Sequence, residues 1–143
     1  MIVISRCPYR ISLLGGSSDL EWFVNENKRG LSLGFSLKAF SRAVVTFRSE
    51  SIQRGLLNYS SREEYTNIDS ISHPLIRASL KRLSINKPIE LCSFGETISG
   101  TGLGSSSSFT IAILKALCKL NHQEISNEEL ASLASDIEIK DLK

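Results

Sequence analysis

The sequence predicts an α+β domain, on three observations. Short β-rich runs crowd the first half of the chain; two segments with helical apolar spacing close the second half; and strands and helices do not alternate regularly, which argues against a repeated βαβ plan. No internal repeat and no long linker interrupts the pattern, so the 143 residues read as one domain, long enough to bury a core.

In chain order, Ile2–Ser5 and Tyr9–Leu14 are predicted as two strands punctuated by Pro8. Gly15, Gly16, Ser17 and Ser18 form a tight loop, and Asp19 opens a short helix closed by Gly30. Leu31–Phe47 supplies two further strands and Leu56–Ser60 another; the polar run Ser61–Ser70 reads as loop. His73–Leu83 is a helix, with Pro74 in its first turn. Ile89–Phe94 alternates as a strand, and Phe109–Leu120 is an apolar helix. Ser126–Ile137 is the best-marked helix, with a Ser126/Glu129 capping box ahead of Leu130, Leu133, Ala134 and Ile137.

Composition narrows the function classes. With 41% hydrophobic and 22% charged residues, the chain is globular, not disordered. A net charge of +2, with scattered Lys and Arg, lacks the clustered basic footprint of a nucleic-acid binder. Cys7, Cys92 and Cys118 are odd in number and share no close spacing, which speaks against disulfides and zinc and for reduced thiols. Arg6 and Arg10 interrupt the apolar N-terminus, so it is not a signal peptide, and no apolar run reaches the ~18–20 residues a membrane helix needs. A cytoplasmic protein with no membrane partner is expected.

The chemistry lies in Ser99–Ser108, a Gly/Ser-rich loop running without a break into an apolar helix. Glycines let the backbone approach a ligand, and the free amides and dipole of a helix start attract phosphate. A flexible linker has similar composition, but a linker is not normally followed directly by Phe109–Leu117. No Lys stands where a Walker A loop requires it, Ser105 occupies the third glycine of the dinucleotide fingerprint, and Ser108 fills the last glycine of a nucleophile elbow.

Gly102-Leu103-Gly104-Ser105-Ser106 resembles the core of the phosphate loop of the GHMP kinases, the family of galactokinase, homoserine kinase, mevalonate kinase and phosphomevalonate kinase. Ile98 replaces the usual proline and Ser107 the common alanine. Pro8–Leu20 is similar to the family's N-terminal substrate motif, in the form found in heptose 7-phosphate kinases and fucokinase-like enzymes. The resemblance covers essentially the whole chain. It implies the family's N-terminal, ATP-binding domain, with a core like domain 2 of ribosomal protein S5, and transfer of the ATP γ-phosphoryl group to a sugar or sugar phosphate with Mg²⁺.

The resemblance also implies roles for single residues. Gly100, Gly102, Leu103, Gly104, Ser105, Ser106 and Ser107 would hold ATP; Ser106 and Glu138 would serve Mg²⁺; Gly16, Ser17 and Asp19 would face the acceptor; and Arg10 would act catalytically on phosphoryl charge. Each has a plainer alternative: Asp19 and Ser106 as helix caps, Arg10 as a surface charge, Glu138 as a solvated helix-end carboxylate. The family's catalytic aspartate segment and C-terminal domain have no counterpart before Lys143. Residues 1–143 are therefore expected to be inactive alone and to self-associate through an uncovered face. The alternatives are a non-catalytic nucleotide-binding domain or a kinase for a non-sugar acceptor.

Overall fold

A computed structural model describes residues 1–18, 21–49, 51–96 and 101–141. β1 (Ile2–Leu14) and β2 (Leu33–Phe47) pair antiparallel. Each is continuous where the sequence predicts two short strands. Pro8 does not end β1 because that strand is the sheet's edge, where a missing N–H costs little. The disturbance appears instead as a register step: β2 places Leu37–Ala39 opposite the single residue Tyr9. The step skips an even number of β2 residues, so inward and outward faces are kept, and Tyr9 stays buried.

Between these strands, α1 (Glu21–Asn27) is shorter than expected. It ends before Gly30: Lys28 takes the left-handed conformation (φ 64°), and Asn27 Nδ2 donates to the Phe23 carbonyl at 3.0 Å. Gly30 is therefore not the cap.

β3 (Gly55–Asn58) pairs antiparallel with β4 (Arg62–Tyr65), which falls inside the run predicted as loop, and a 3-10 turn follows at Ile68–Ser70. Tyr65 explains the hairpin. Its ring lies against Gly55, where a Cβ would come within 2.1 Å of it, and its hydroxyl accepts from the Ile89 amide at 3.3 Å. One buried aromatic in a charged tetrad leaves no apolar alternation to detect.

α2 (Pro74–Arg82) begins at its proline, as predicted. β5 (Ile89–Gly95) then enters between β2 and β3, giving the order β1-β2-β5-β3-β4, antiparallel except for β3 with β5. α3 (Ser105–Leu120) starts four residues before the predicted Phe109, so the serine run is its first turn. α4 (Asn127–Asp136) carries the full capping box, with the Glu129 amide donating to Ser126 Oγ at 3.2 Å and the Ser126 amide to Glu129 Oε2 at 2.9 Å. Its axis runs on into a wide π turn, Ile137–Asp141.

The three longer helices cover one face of the sheet. Val45, Leu57, Ile89 and Leu91 from the strands meet Ile76 and Leu80 of α2, Leu114 and Leu117 of α3, and Leu130 of α4. Each fully buried side chain of this kind contributes about 1.5–3 kcal/mol. The apolar stripe sets how α3 lies on the sheet, and so where its N-terminus points. The α+β architecture is as the sequence predicts.

Candidate functional site

Gly102 (φ 74°) and Gly104 (φ 70°) both occupy the left-handed region, which other residues adopt at a cost of about 1–2 kcal/mol. They turn the chain into α3, where Gly104 stands at the N-cap and no side chain caps the helix. An uncapped helix start of this length is a ready anion site. The four serines then diverge. Ser108 turns inward and donates to the Pro8 carbonyl at 2.9 Å, Ser107 donates to Glu138 Oε2 at 3.1 Å, and Ser106 is exposed.

Arg10 meets this loop from β1. Its amide donates to the Leu103 carbonyl and its guanidinium to the Gly102 carbonyl, both at 3.0 Å. Pro8 and Arg10 lie two residues apart on an extended strand, so both direct backbone polar groups off the free edge of β1. The loop and the start of α3 occupy that edge.

Gly15–Ser18 forms the expected tight turn. The Ser18 amide donates to the Gly15 carbonyl at 3.1 Å, and Ser18 Oγ lies 2.7 Å from the carbonyls of both Gly15 and Leu31. Gly15 is required, since a Cβ there would sit 1.9 Å from the Leu31 oxygen. Gly16 and Ser17 line a cavity of about 570 Å³ together with Arg10. Arg10 thus touches both this cavity and the glycine loop. Asp19 and Gly100 lie outside the described residues.

Glu138 is brought to α3 by the π turn. Arg82 of α2 holds Asp141 through two bonds of 2.8 and 2.9 Å, closing the turn. The Glu138 carboxylate then accepts from Ser107 and, at 2.7 Å, from Thr110 Oγ1. Ser106 instead lines an adjacent cleft of about 440 Å³.

That cleft was not foreseen from sequence. Tyr59, His73, Phe94 and Phe109 wall it, with Ser105 and Ser106 at one side. His73 packs edge-on to Tyr59 (centroids 4.7 Å apart) and tilted against Phe109 (5.1 Å). Burial lowers the His73 pKa, with Glu63 pulling the other way, which favours the neutral ring, and its buried Nδ1 has no partner among the described residues. These residues come from four separate places, the β3–β4 turn, the residue before α2, β5 and α3, and no local spacing signals their meeting. Among the described residues no group of three or more His, Cys, Asp or Glu is placed to hold a metal. Among the described residues, the serine hydroxyls and Glu138 offer oxygen ligands at the start of α3, which suits a hard cation held largely by phosphate and water.

Fold and site together define an α+β domain whose glycine turn is docked on the sheet edge at the start of α3. Residues 71–142 match the family model of the GHMP kinases N terminal domain, and the chain belongs to that family. No curated protein matches the sequence. Among solved structures, the chain is similar to a D-glycero-D-manno-heptose 1-phosphate kinase from Bacteriodes thetaiotaomicron (TM-score 0.87, 22% identity, 99% of this chain and 49% of that one). It is also similar to Lactococcus lactis galactokinase complexed with galactose (0.78, 20%, 99% and 38%) and to Methanococcus jannaschii mevalonate kinase (0.75, 20%, 100% and 47%). The chain spans about half the length, or less, of these proteins. Among the described residues no helix is long and apolar enough to cross a membrane.

Proposed function

We propose that this chain is the N-terminal ATP-binding domain, spanning residues 1–143, of a kinase acting on a sugar or sugar phosphate. The observation that carries the reading is the uncapped start of α3, entered through two left-handed glycines and flanked by an aromatic cleft. Phosphates would lie on Gly100, Gly102–Ser105 and Ser107, and the flat adenine would enter the cleft among Tyr59, His73 and Phe109, where aromatic faces favour stacking. Ser106 and Glu138 would serve Mg²⁺, whose charge offsets that of the phosphates.

The acceptor would occupy the cavity lined by Gly16 and Ser17, with Asp19 accepting from sugar hydroxyls. Arg10, between the two regions, would stabilise charge on the transferred group. In the reaction a sugar oxygen bonds to the γ-phosphorus, the β–γ bridging bond breaks, ADP departs and the hydroxyl proton is released. Positioning and charge stabilisation dominate such transfers. The resemblance of Pro8–Leu20 favours a heptose 7-phosphate acceptor and an anomeric phosphate product, and the likeness to a heptose 1-phosphate kinase agrees with a heptose phosphate. Sustained turnover is expected only where the rest of the fold is supplied, and a cytoplasmic location goes with the unpaired thiols.

The test is calorimetric titration of the full chain with ATP, with and without Mg²⁺, beside the Gly104→Val variant. Wild-type binding that depends on Mg²⁺ and is lost in Gly104→Val supports the reading. Equal affinity in both proteins sinks it.

A further inference from the structure

We infer that Arg10 is a positioning residue for the glycine loop: it holds Gly102–Gly104 in their binding shape before any nucleotide arrives. The inference rests on the reading of that loop as a phosphate site. Two glycines at positive φ within three positions adopt that path without strain, but glycine is free to leave it, so one fixed shape persists only where the surroundings hold it. Local capping does not impose this one, since no side chain caps α3. Three bonds that hold the loop and the start of α3 run to β1. Arg10 bonds two successive loop carbonyls, Gly102 through its guanidinium and Leu103 through its amide, and Ser108 ties the first turn of α3 to Pro8.

The guanidinium also lies directly on Gly104. A Cβ there would stand 3.2 Å from Arg10 Cζ and 3.3 Å from Nε, tighter than ordinary packing, so the absent side chain at Gly104 is the space that Arg10 fills. Glycine at this position thus answers two separate constraints, its own backbone conformation and the flat cation above it. Gly102 has the first without the second, because none of the described residues lies within 4 Å of its missing Cβ. One N–H of the guanidinium is committed to Gly102, and the planar fork carries further donors of the kind that reach phosphate. The strand that carries the acceptor motif therefore also sets the conformation of the nucleotide loop, and the two half-sites move as one body.

The experiment measures amide hydrogen exchange on the full chain without nucleotide, together with ATP affinity, for wild type, Arg10→Ala, Arg10→Lys and the cycle with Gly104→Ala. Removing a charged donor from the loop is expected to speed exchange at residue 10 and Ser108 about tenfold. ATP affinity should fall by a similar factor, while the Leu130 amide in α4 stays as protected as before. Lysine should restore part of the protection, since an ammonium reaches the Gly102 carbonyl but cannot lie flat on Gly104. Gly104→Ala should cost less in the Arg10→Ala background than alone, because the backbone strain is common to both and cancels. Unchanged loop exchange with weakened ATP binding would show Arg10 acting on the phosphates directly and overturn the inference, as would an additive cycle. Faster loop exchange in Arg10→Ala, with no ATP binding by the wild type, would sink the nucleotide reading and leave the clamp standing. Should Arg10→Ala unfold, loss of Leu130 protection will reveal it, and the lysine variant decides.

Discussion

Gly104 illustrates how a single residue can be legible in sequence for one reason and constrained in space by another. Its place in a glycine–serine run signals a phosphate loop, while its contact with Arg10, 94 positions away by residue number, has no local trace. Gly104→Ala is expected to lower stability by about 1–2 kcal/mol through its φ of 70° alone, measured by urea unfolding. His73 offers a pH test. Its folded-state pKa lies below the usual 6.5, chiefly through burial, so unfolding takes up a proton in mildly acid solution. The associated stability is complete above 6.5 and falls as pH drops from there through the folded-state pKa. His73→Phe keeps the ring stack with Tyr59 and Phe109 but cannot titrate, so its melting temperature should fall less than the wild type's between about pH 7.5 and about pH 5.

The capping box and the N1 proline, both local signals, mark their helices correctly, but Gly30 does not cap α1 and the serine run belongs to α3. Features shaped by distant neighbours leave still less trace. The capping box of α4 needs only Ser126 and Glu129, and both halves of it form. Ser126→Ala should cost about 1 kcal/mol, seen as a lower denaturation midpoint with an unchanged slope. The Ser126 amide, and then its hydroxyl, hold the Glu129 carboxylate below its usual pKa, so the cap's contribution is present at neutral pH and is lost as pH falls through that lowered value. Pro8 misled because its meaning depends on whether its strand is central or at an edge, which the sheet order decides. β4 was missed because its reason for existing is Gly55, ten residues from Tyr65. The same division runs through the candidate site: the glycine loop is contiguous and legible as a candidate, whereas the cleft of Tyr59, His73 and Phe109 is assembled only by packing.

At the scale of the whole molecule, the helices and the sheet share one core, and its centre is α3. Leu114 is fully buried there, and Leu114→Ala should remove about 2–5 kcal/mol, enough to unfold much of a marginally stable population at 37 °C. The far end of the β1–β2 pair is different. Leu13, Leu14, Leu33 and Phe35 are all at least half exposed, with Leu14 opposite Leu33 in the register. Apolar surface of this kind is expected to drive self-association. Sedimentation velocity should show weight-average mass rising with concentration, and Leu14→Lys with Leu33→Glu should suppress the rise.

The docking of the glycine loop on β1 also governs when the site can come into being during synthesis. Gly102 and Ser108 lie 92 and 100 residues beyond their partners Arg10 and Pro8. At about 5–20 residues per second, the first strand leaves the ribosome on the order of 5–20 seconds before the segment that will cover its edge. Through that interval Ile2–Tyr9, rich in β-branched residues, can pair on one side with β2 but on the other only with water or another chain. The glycine loop and the start of α3 therefore also serve the nascent protein as the piece that closes this strand's edge at Pro8 and Arg10.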